Sequence, residues 1–318
     1  MVFALNLPAP ARAEWFKSEQ AVMGTSIAVQ LWHTDADFAD ACIAAVMSEM
    51  HRIDAAMSPY KESSELSKVN REAARFPVAA SKELFDLIAR SLEMSERSGG
   101  AFDITYASVG RMYDYRARKK PGNAEIETAL KAVNYHHIKL DRARGTIRFT
   151  HPGVYIDLGG IAKGHAVDRG ISLLRERGIR HALVSAGGDS RILGDRRGRP
   201  WFTGIKDPRN PQRAPVVLPL SDTAISTSGD YERYFIEDGV RYHHIINPGT
   251  GRSARAARSV TVLGPDATTT DALSTTLFVL GPEKALKLAD TMPEIDAIII
   301  DSNGTMHYSS GLEPPAKQ

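Results

Sequence analysis

Sulfur chemistry is nearly absent from this chain: 318 residues carry one cysteine, Cys42. That excludes an internal disulfide and any cysteine-built metal cluster. Cys42 sits among Phe38, Ile43, Val46, Met47, Met50 and Ile53, a helix-spaced apolar face, and reads as core. An excess of charge of one sign is missing too. Lys and Arg number 40 against 38 Asp and Glu, a net charge of +2, which makes no case for a nucleic-acid partner. The basic run Arg116, Arg118, Lys119 and Lys120 lies beside Pro121-Gly122 and reads as a solvated loop. No stretch approaches the roughly 20 apolar residues that a transmembrane helix needs. No G-x-G-x-x-G opens a helix, so a Rossmann dinucleotide site is not expected; serine-hydrolase, zincin, kinase and EF-hand signatures are missing as well. What remains, 42% hydrophobic and 25% charged, is ordinary globular composition, enough for one large domain or two intimate ones.

Leu7-Pro8-Ala9-Pro10-Ala11-Arg12-Ala13 ends in the small-x-small pattern that signal peptidase prefers, but no basic region or full apolar core precedes it. Residues 1–13 are therefore expected to be the remnant of an export signal or a disordered terminus, and 14–318 to form one domain. On the export reading the protein is periplasmic. No cysteine stands there for a lipid anchor, so any membrane association would come through partners.

Ile27, Val29 and Leu31 alternate in a strand over 24–32, and the helix through Cys42 follows, then a polar loop over 57–70. Ser81 is placed to cap a helix carrying Leu84, Leu87, Ile88 and Leu92, closed by Gly99-Gly100. A short helix ends near Val133. Strands are expected at 146–149, 155–158, 181–186, 201–206, 223–226 and 259–263, with a hairpin turning at Asp238-Gly239. Helices are expected over 266–280 and from Pro282, and a last strand over 297–301. Helices and strands mix without strict alternation, and hairpins occur. The pattern predicts an α+β fold with substantial antiparallel sheet.

The segment from Tyr155 to Asp168 carries the clearest chemistry. An apolar strand runs into Gly159-Gly160, and a helix follows with Lys163 in its first turn, Val167, Ile171 and Leu174 as its apolar stripe, and Gly178 at its end. A turn without side chains, unpaired N–H groups, a positive dipole end and a lysine suit phosphate groups. Tight packing beside a surface lysine is the alternative. Asp271 and Thr275, four apart, share a helix face opposite Leu273, Leu277 and Leu280. They read either as oxygen ligands for a hard cation such as Mg²⁺ or as a surface Asp and a back-bonded Thr. Of His243 and His244, adjacent in a strand, one can face a site as general base. Asp103 follows a helix end in a glycine-flanked stretch, and Thr227–Tyr231 reads as a polar turn. Together these suggest an enzyme that handles phosphate with a divalent cation.

Taken in order, the clusters resemble the ApbE-type flavin transferases. The matching blocks are Met23-Gly24-Thr25; Met57-Ser58-Pro59-Tyr60 with Ser64-Glu65-Leu66; Ala101-Phe102-Asp103-Ile104-Thr105; and Ile156–Gly164 with Asp168. Gly187-Gly188-Asp189, Ile205–Pro208, Thr227–Tyr231, His244-Ile245-Ile246 with Pro248, Thr250 and Gly251, and Asp271-Ala272-Leu273 with Thr275 continue the series. The resemblance implies mixed, largely antiparallel sheets flanked by helices, with an FAD site between two halves. It implies that Met23, Tyr60, Ala101, Phe102, Asp103, Asp157, Lys163 and Ile245 hold FAD. It implies Mg²⁺ ligands in the Gly160 carbonyl and the side chains of Asp271 and Thr275, and a general base in His244. The implied reaction moves FMN from FAD to a threonine hydroxyl of an acceptor redox protein and releases AMP. Hydrolysis of FAD to FMN and AMP, and FAD binding without turnover, are the alternatives. Asn247 stands where many members carry aspartate, and the lipoprotein cysteine is missing.

Overall fold

In the computed structural model, which describes residues 14–210, 212 and 216–312, the chain opens on a hairpin. The expected export-signal remnant, residues 1–13, lies outside the described residues. β1 (Glu14–Val22) pairs antiparallel with β2 (Thr25–His33) through Met23-Gly24, at φ 56° and 70°. Two left-handed residues are what a two-residue hairpin turn requires. β2 matches the alternating pattern, whereas β1, largely exposed, gave no such signal. α1 (Ala36–Met57) is capped by Asp35, which accepts from the Phe38 N–H at 3.0 Å. It buries Cys42 with its expected neighbours, except Phe38, which stays exposed against His33.

The stretch expected as a polar loop contains α2 (Glu65–Glu72), capped by Ser64. Then come β3 (Val78–Ala79) and α3 (Lys82–Arg97), which Ser81 caps and Gly99-Gly100 ends at positive φ. α4 (Ala107–Gly110), α5 (Asn123–Leu130), β4 (Ile138–Asp141) and β5 (Thr146–Phe149) complete this region, the strands forming a small sheet in the order β3-β5-β4. α6 (Ala162–Glu176) leads to β6 (Ala182–Ala186) and β7 (Asp189–Leu193). β8 (Trp201–Ile205) pairs with β9 (Val216–Leu220), and β10 (Ala224–Gly229) follows. β11 (Tyr234–Glu237) and β12 (Val240–His243) are the expected hairpin, and β13 (Ile246–Asn247) with β14 (Arg252–Ser253) forms a second. β15 (Ala257–Gly264), α7 (Ala267–Leu280), α8 (Pro282–Ala289), β16 (Asp296–Asp301) and β17 (Met306–Tyr308) close the described chain.

The fold is α+β, and its centre is an eight-stranded sheet in the order β1-β2-β6-β7-β10-β15-β16-β17, antiparallel at every pairing. Alternation sorts its side chains. Val260, Val262, Ala297 and Ile299 join the main core with α1, α6 and α7, while Ile225 and Ile298 join Trp201, Ile205 and Leu220 in a second cluster. α7 departs from its half-exposed expectation: Thr270, Asp271, Ser274 and Thr276 are buried along with Leu273, Leu277 and Phe278. Its hydroxyls are satisfied locally and across to β10, Thr276 Oγ1 donating to the Ala272 carbonyl at 2.7 Å and Ser226 Oγ meeting Thr270 Oγ1 at 2.8 Å. Such polar contacts let a helix with one apolar stripe lie against a sheet and other helices at once.

Candidate active site

The site's floor is the segment expected as a strand, Tyr155–Leu158, and it belongs to no sheet. Its backbone groups bond side chains instead. Asn70 on α2 brackets Ile156, with Nδ2 donating to the carbonyl at 2.9 Å and Oδ1 accepting from the N–H at 2.8 Å. Ser108 on α4 does the same for Tyr155, at 3.0 and 3.3 Å. The Asp157 N–H donates to the Ile104 carbonyl at 3.1 Å, and its carboxylate accepts from the Gly159 N–H at 2.6 Å, folding the Gly-Gly turn. Burial pushes the Asp157 carboxyl above the usual carboxylate range, opposed by that N–H and by the charges of Arg233 and Lys163.

Above the floor α6 crosses α7 with almost no gap. A Cβ on Gly164 would stand 2.1 Å from the Ala267 carbonyl oxygen and 2.8 Å from Asp271 Cβ, so only glycine lets the helices meet. The Gly164 N–H then donates to Asp271 Oδ2 at 3.0 Å. One turn further along α6, Asp168 accepts from the Ala267 and Thr268 N–H groups at 2.9 and 2.8 Å while paired with Arg191 at 2.6 Å, so α6 caps the start of α7.

This crossing brings four of the expected residues together. Thr275, one turn beyond Asp271, faces the Gly160 turn: a Cβ on Gly160 would lie 3.3 Å from both Thr275 Oγ1 and the Phe102 ring. Lys163 differs from its expected role as a free cation. Its ammonium donates to Asp189 Oδ2 at 2.6 Å and to Asp271 Oδ1 at 3.1 Å. Asp271 is 2% exposed, and burial together with the Asp189 charge pushes its carboxyl up to about 7, against the pull of Lys163 and the Gly164 N–H. Two carboxylates share one ammonium, so Asp271 is left short of compensating charge. Among the described residues no cluster of three or more His, Cys, Asp or Glu is arranged to hold a metal. A cation here would rest on one carboxylate, a hydroxyl and a main-chain oxygen, a donor set that suits a hard, oxygen-seeking ion.

The remaining candidates ring this centre. Met23 forms the left-handed turn of the first hairpin, and Arg233 Nη2 donates to the Gly24 carbonyl beside it at 3.3 Å. Tyr60 is 83% exposed and feels the charges of Asp157 and Arg233. Ala101 and buried Phe102 lie in the turn after α3, where the Phe102 N–H donates to Ser98 Oγ at 3.0 Å. Asp103 is engaged within the protein: Oδ1 accepts from the Thr105 N–H and hydroxyl at 2.8 and 2.6 Å, and Oδ2 from the Tyr135 N–H at 2.8 Å. Ile245 is buried, its carbonyl accepting from the Ala254 N–H at 2.9 Å.

The two histidines divide as strand geometry requires. His243 is buried with both ring nitrogens engaged, Nε2 on the Ala254 carbonyl at 2.7 Å and Nδ1 on the Ile245 N–H at 3.3 Å. His244 has a buried Nδ1 without a partner, while its main-chain N–H donates to the Arg233 carbonyl at 3.1 Å. Burial, then the charge of Arg233, pushes its imidazole down to about 3, so the ring is neutral at ordinary pH.

Three site residues escaped individual assignment. Asp189 was visible only within a Gly-Gly-Asp block, and Arg233 sits in a polar stretch with no motif of its own. Ser228, 3.3 Å from Thr275 Oγ1 and 2.9 Å from Ser274 Oγ, was expected in a turn but lies in β10.

Known proteins resemble this chain in both sequence and fold. The model of the ApbE family matches residues 23–299. The chain is 31% identical to the FAD:protein FMN transferase of Treponema pallidum, over 95% of this chain and 89% of that one. With the FAD:protein FMN transferase of Haemophilus influenzae it shares 33% identity over 81% and 78%. An ApbE protein from Thermotoga maritima superposes with a TM-score of 0.87 at 35% identity, covering 94% of this chain and 98% of that one. For the flavin transferase ApbE from Vibrio cholerae the TM-score is 0.84 at 28% identity, with the same coverage. Matched along nearly its whole described length in both sequence and fold, the chain belongs to the ApbE family.

Proposed function

We propose that this protein is an FAD:protein FMN transferase that modifies a threonine of an acceptor redox protein. The observation that carries the reading is the meeting of the Gly160 turn, Asp271, Thr275 and Lys163 at one crossing of α6 and α7. In the reaction the threonine oxygen bonds to the FMN phosphorus as the bond from that phosphorus to the bridging oxygen breaks. AMP leaves with that oxygen. The Gly160 carbonyl, Asp271 and Thr275 would hold Mg²⁺, which when bound neutralises charge on the diphosphate and its leaving group. Asp189 keeps Lys163 beside Asp271, so the lysine's cation is fixed where phosphate oxygens gather.

His244 takes the threonine proton. Its Nδ1 has no partner among the described residues, and burial, then the charges of Arg233 and Lys163, depress its basicity in the free protein. Phosphate anions beside those cations offset their field and raise it. Met23, Tyr60, Ala101, Phe102, Asp103, Asp157 and Ile245 line the remainder of the FAD site, Asp103 by fixing the turn rather than by a free carboxylate. One core drawing on residues from Val22 to Ile299 supports a single catalytic domain, and the pattern over 7–13 supports export to the periplasm.

The test is mass spectrometry of an acceptor incubated with the protein, FAD and Mg²⁺. An added FMN mass on a threonine, with AMP released, is expected. Free FMN and AMP beside an unmodified acceptor would replace transfer by hydrolysis, and bound flavin without AMP would reduce the protein to a carrier.

A further inference from the structure

The cations of the site are not equivalent. Lys163 is held between two carboxylates, whereas Arg233 makes no salt bridge among the described residues. Arg233 is exposed, and among the described residues its guanidinium makes one hydrogen bond, to the Gly24 carbonyl at 3.3 Å, which sets it against the Met23-Gly24 turn. A Cβ on Gly24 would lie 3.3 Å from the same Nη2, so the glycine leaves room for it. At its other end the Arg233 carbonyl receives the His244 N–H at 3.1 Å. The residue therefore joins the first hairpin to the main chain of His244, and its charge reaches Asp157, Tyr60, Tyr106 and the His244 ring. A guanidinium without a carboxylate at the mouth of a buried polar site presents a planar fork suited to phosphate oxygens.

We propose that Arg233 is the residue by which this site recognises the substrate's phosphates, separating FAD from flavin that carries no phosphate. The inference rests on the reading of the site as an FAD site. A residue that pairs with the diphosphate adds nothing to the binding of riboflavin, whose ring and ribityl chain are uncharged. Loss of the guanidinium therefore acts on one ligand and spares the other. A residue that merely props the hairpin through Gly24 acts on both.

The experiment is equilibrium titration of the full chain with FAD and with riboflavin, in Mg²⁺, followed by flavin fluorescence. R233Q should weaken FAD by about tenfold or more, the usual worth of a charge-assisted pair, and move riboflavin by less than about twofold. R233K, which keeps the charge but loses the fork, should recover part of the FAD affinity. FAD affinity should also fall more steeply with NaCl in the natural protein than in R233Q. Equal weakening of both flavins in R233Q, or unchanged FAD affinity, would overturn the assignment. A natural protein that binds FAD and shows this discrimination yet modifies no acceptor leaves Arg233's role standing and removes only the transfer reaction. A natural protein that binds no FAD removes both.

Discussion

Gly164→Ala isolates the contact that builds the site. In an exposed helix interior this change would stabilise by about 0.5–1 kcal/mol, since alanine is the better helix former. Here the new methyl would meet the Ala267 carbonyl oxygen at 2.1 Å and Asp271 Cβ at 2.8 Å, both on α7. Ordinary contact needs α6 and α7 to separate by about 1 Å, and close-packed interiors yield little, so overpacking of this kind costs about 1–3 kcal/mol. The same movement stretches the Gly164 N–H bond to Asp271, 3.0 Å as it stands, and weakening the tie to a buried carboxylate adds about 1–2 kcal/mol. The expected loss is about 3 kcal/mol. At about 1.5 °C per kcal/mol for a chain of 318 residues, the melting midpoint should fall by roughly 4–5 °C. Thermal unfolding by circular dichroism measures it, with Gly178→Ala as the control. Gly178 sits at φ +81° with nothing within 4 Å of its would-be Cβ, so that variant carries local strain of about 1 kcal/mol and should keep its activity. A Gly164→Ala protein as stable and active as the natural one would refute the crossing as the site's foundation.

Asp271→Ala should abolish AMP release while weakening FAD binding far less, because neutralisation matters most as charge builds on the leaving group; equal losses in both assays would make Asp271 simply structural. Tyr60→Ala should weaken FAD, since an aromatic ring 83% exposed beside the site is free to stack on a flavin or adenine; calorimetric titration with an unchanged affinity would rule that out. His244→Gln should keep FAD binding and lose most of the turnover, and full activity would remove His244 as base. The same variant has a stability signature. The imidazole's ordinary 6.5 falls to about 3 in the folded protein, so the unfolded chain binds more protons between those limits. Stability from keeping His244 neutral is complete above pH 6.5 and is lost as pH falls toward 3. Denaturant titration should show His244→Gln gaining on the natural protein by about 1–2 kcal/mol near pH 5. A constant difference from pH 7 to 5 would mean the ring is not held neutral.

How much was legible varied with the kind of signal. Helices with clean stripes were readable, and Ser81 caps α3 as expected, while the caps Asp35 and Asp266 emerge only in the structure; β2 and β5 follow strict alternation. The misses share a cause. α2 lacks enough apolar residues to declare itself, and β1 is largely exposed at the edge of the sheet, so neither carries a burial pattern. Tyr155–Leu158 alternates like a strand because one side faces the core, but its hydrogen-bond partners come from Asn70 and Ser108, far away in sequence. For the site, the resemblance supplied the residues and local chemistry did not. Asp271 with Thr275 is an unremarkable helix pair until Gly160 arrives from more than a hundred positions earlier. The fixed ammonium of Lys163 was invisible because its acid partners lie on β7 and α7.

The way the Tyr155–Leu158 segment hangs from two helices has a mechanical consequence. Inner strands of the central sheet are pinned on both flanks by main-chain ladders, and letting go of one amide there disturbs a neighbour. Tyr155 and Ile156 are moored instead by a hydroxyl and an amide group, and releasing Ser108 and Asn70 would free these two residues without opening any ladder. Deuterium should therefore enter the amides of Tyr155 and Ile156 well before those of Val260 and Val262, although Ile156 lies as deep as either. The floor of the proposed site can thus yield and reset while the scaffold beneath it stays intact.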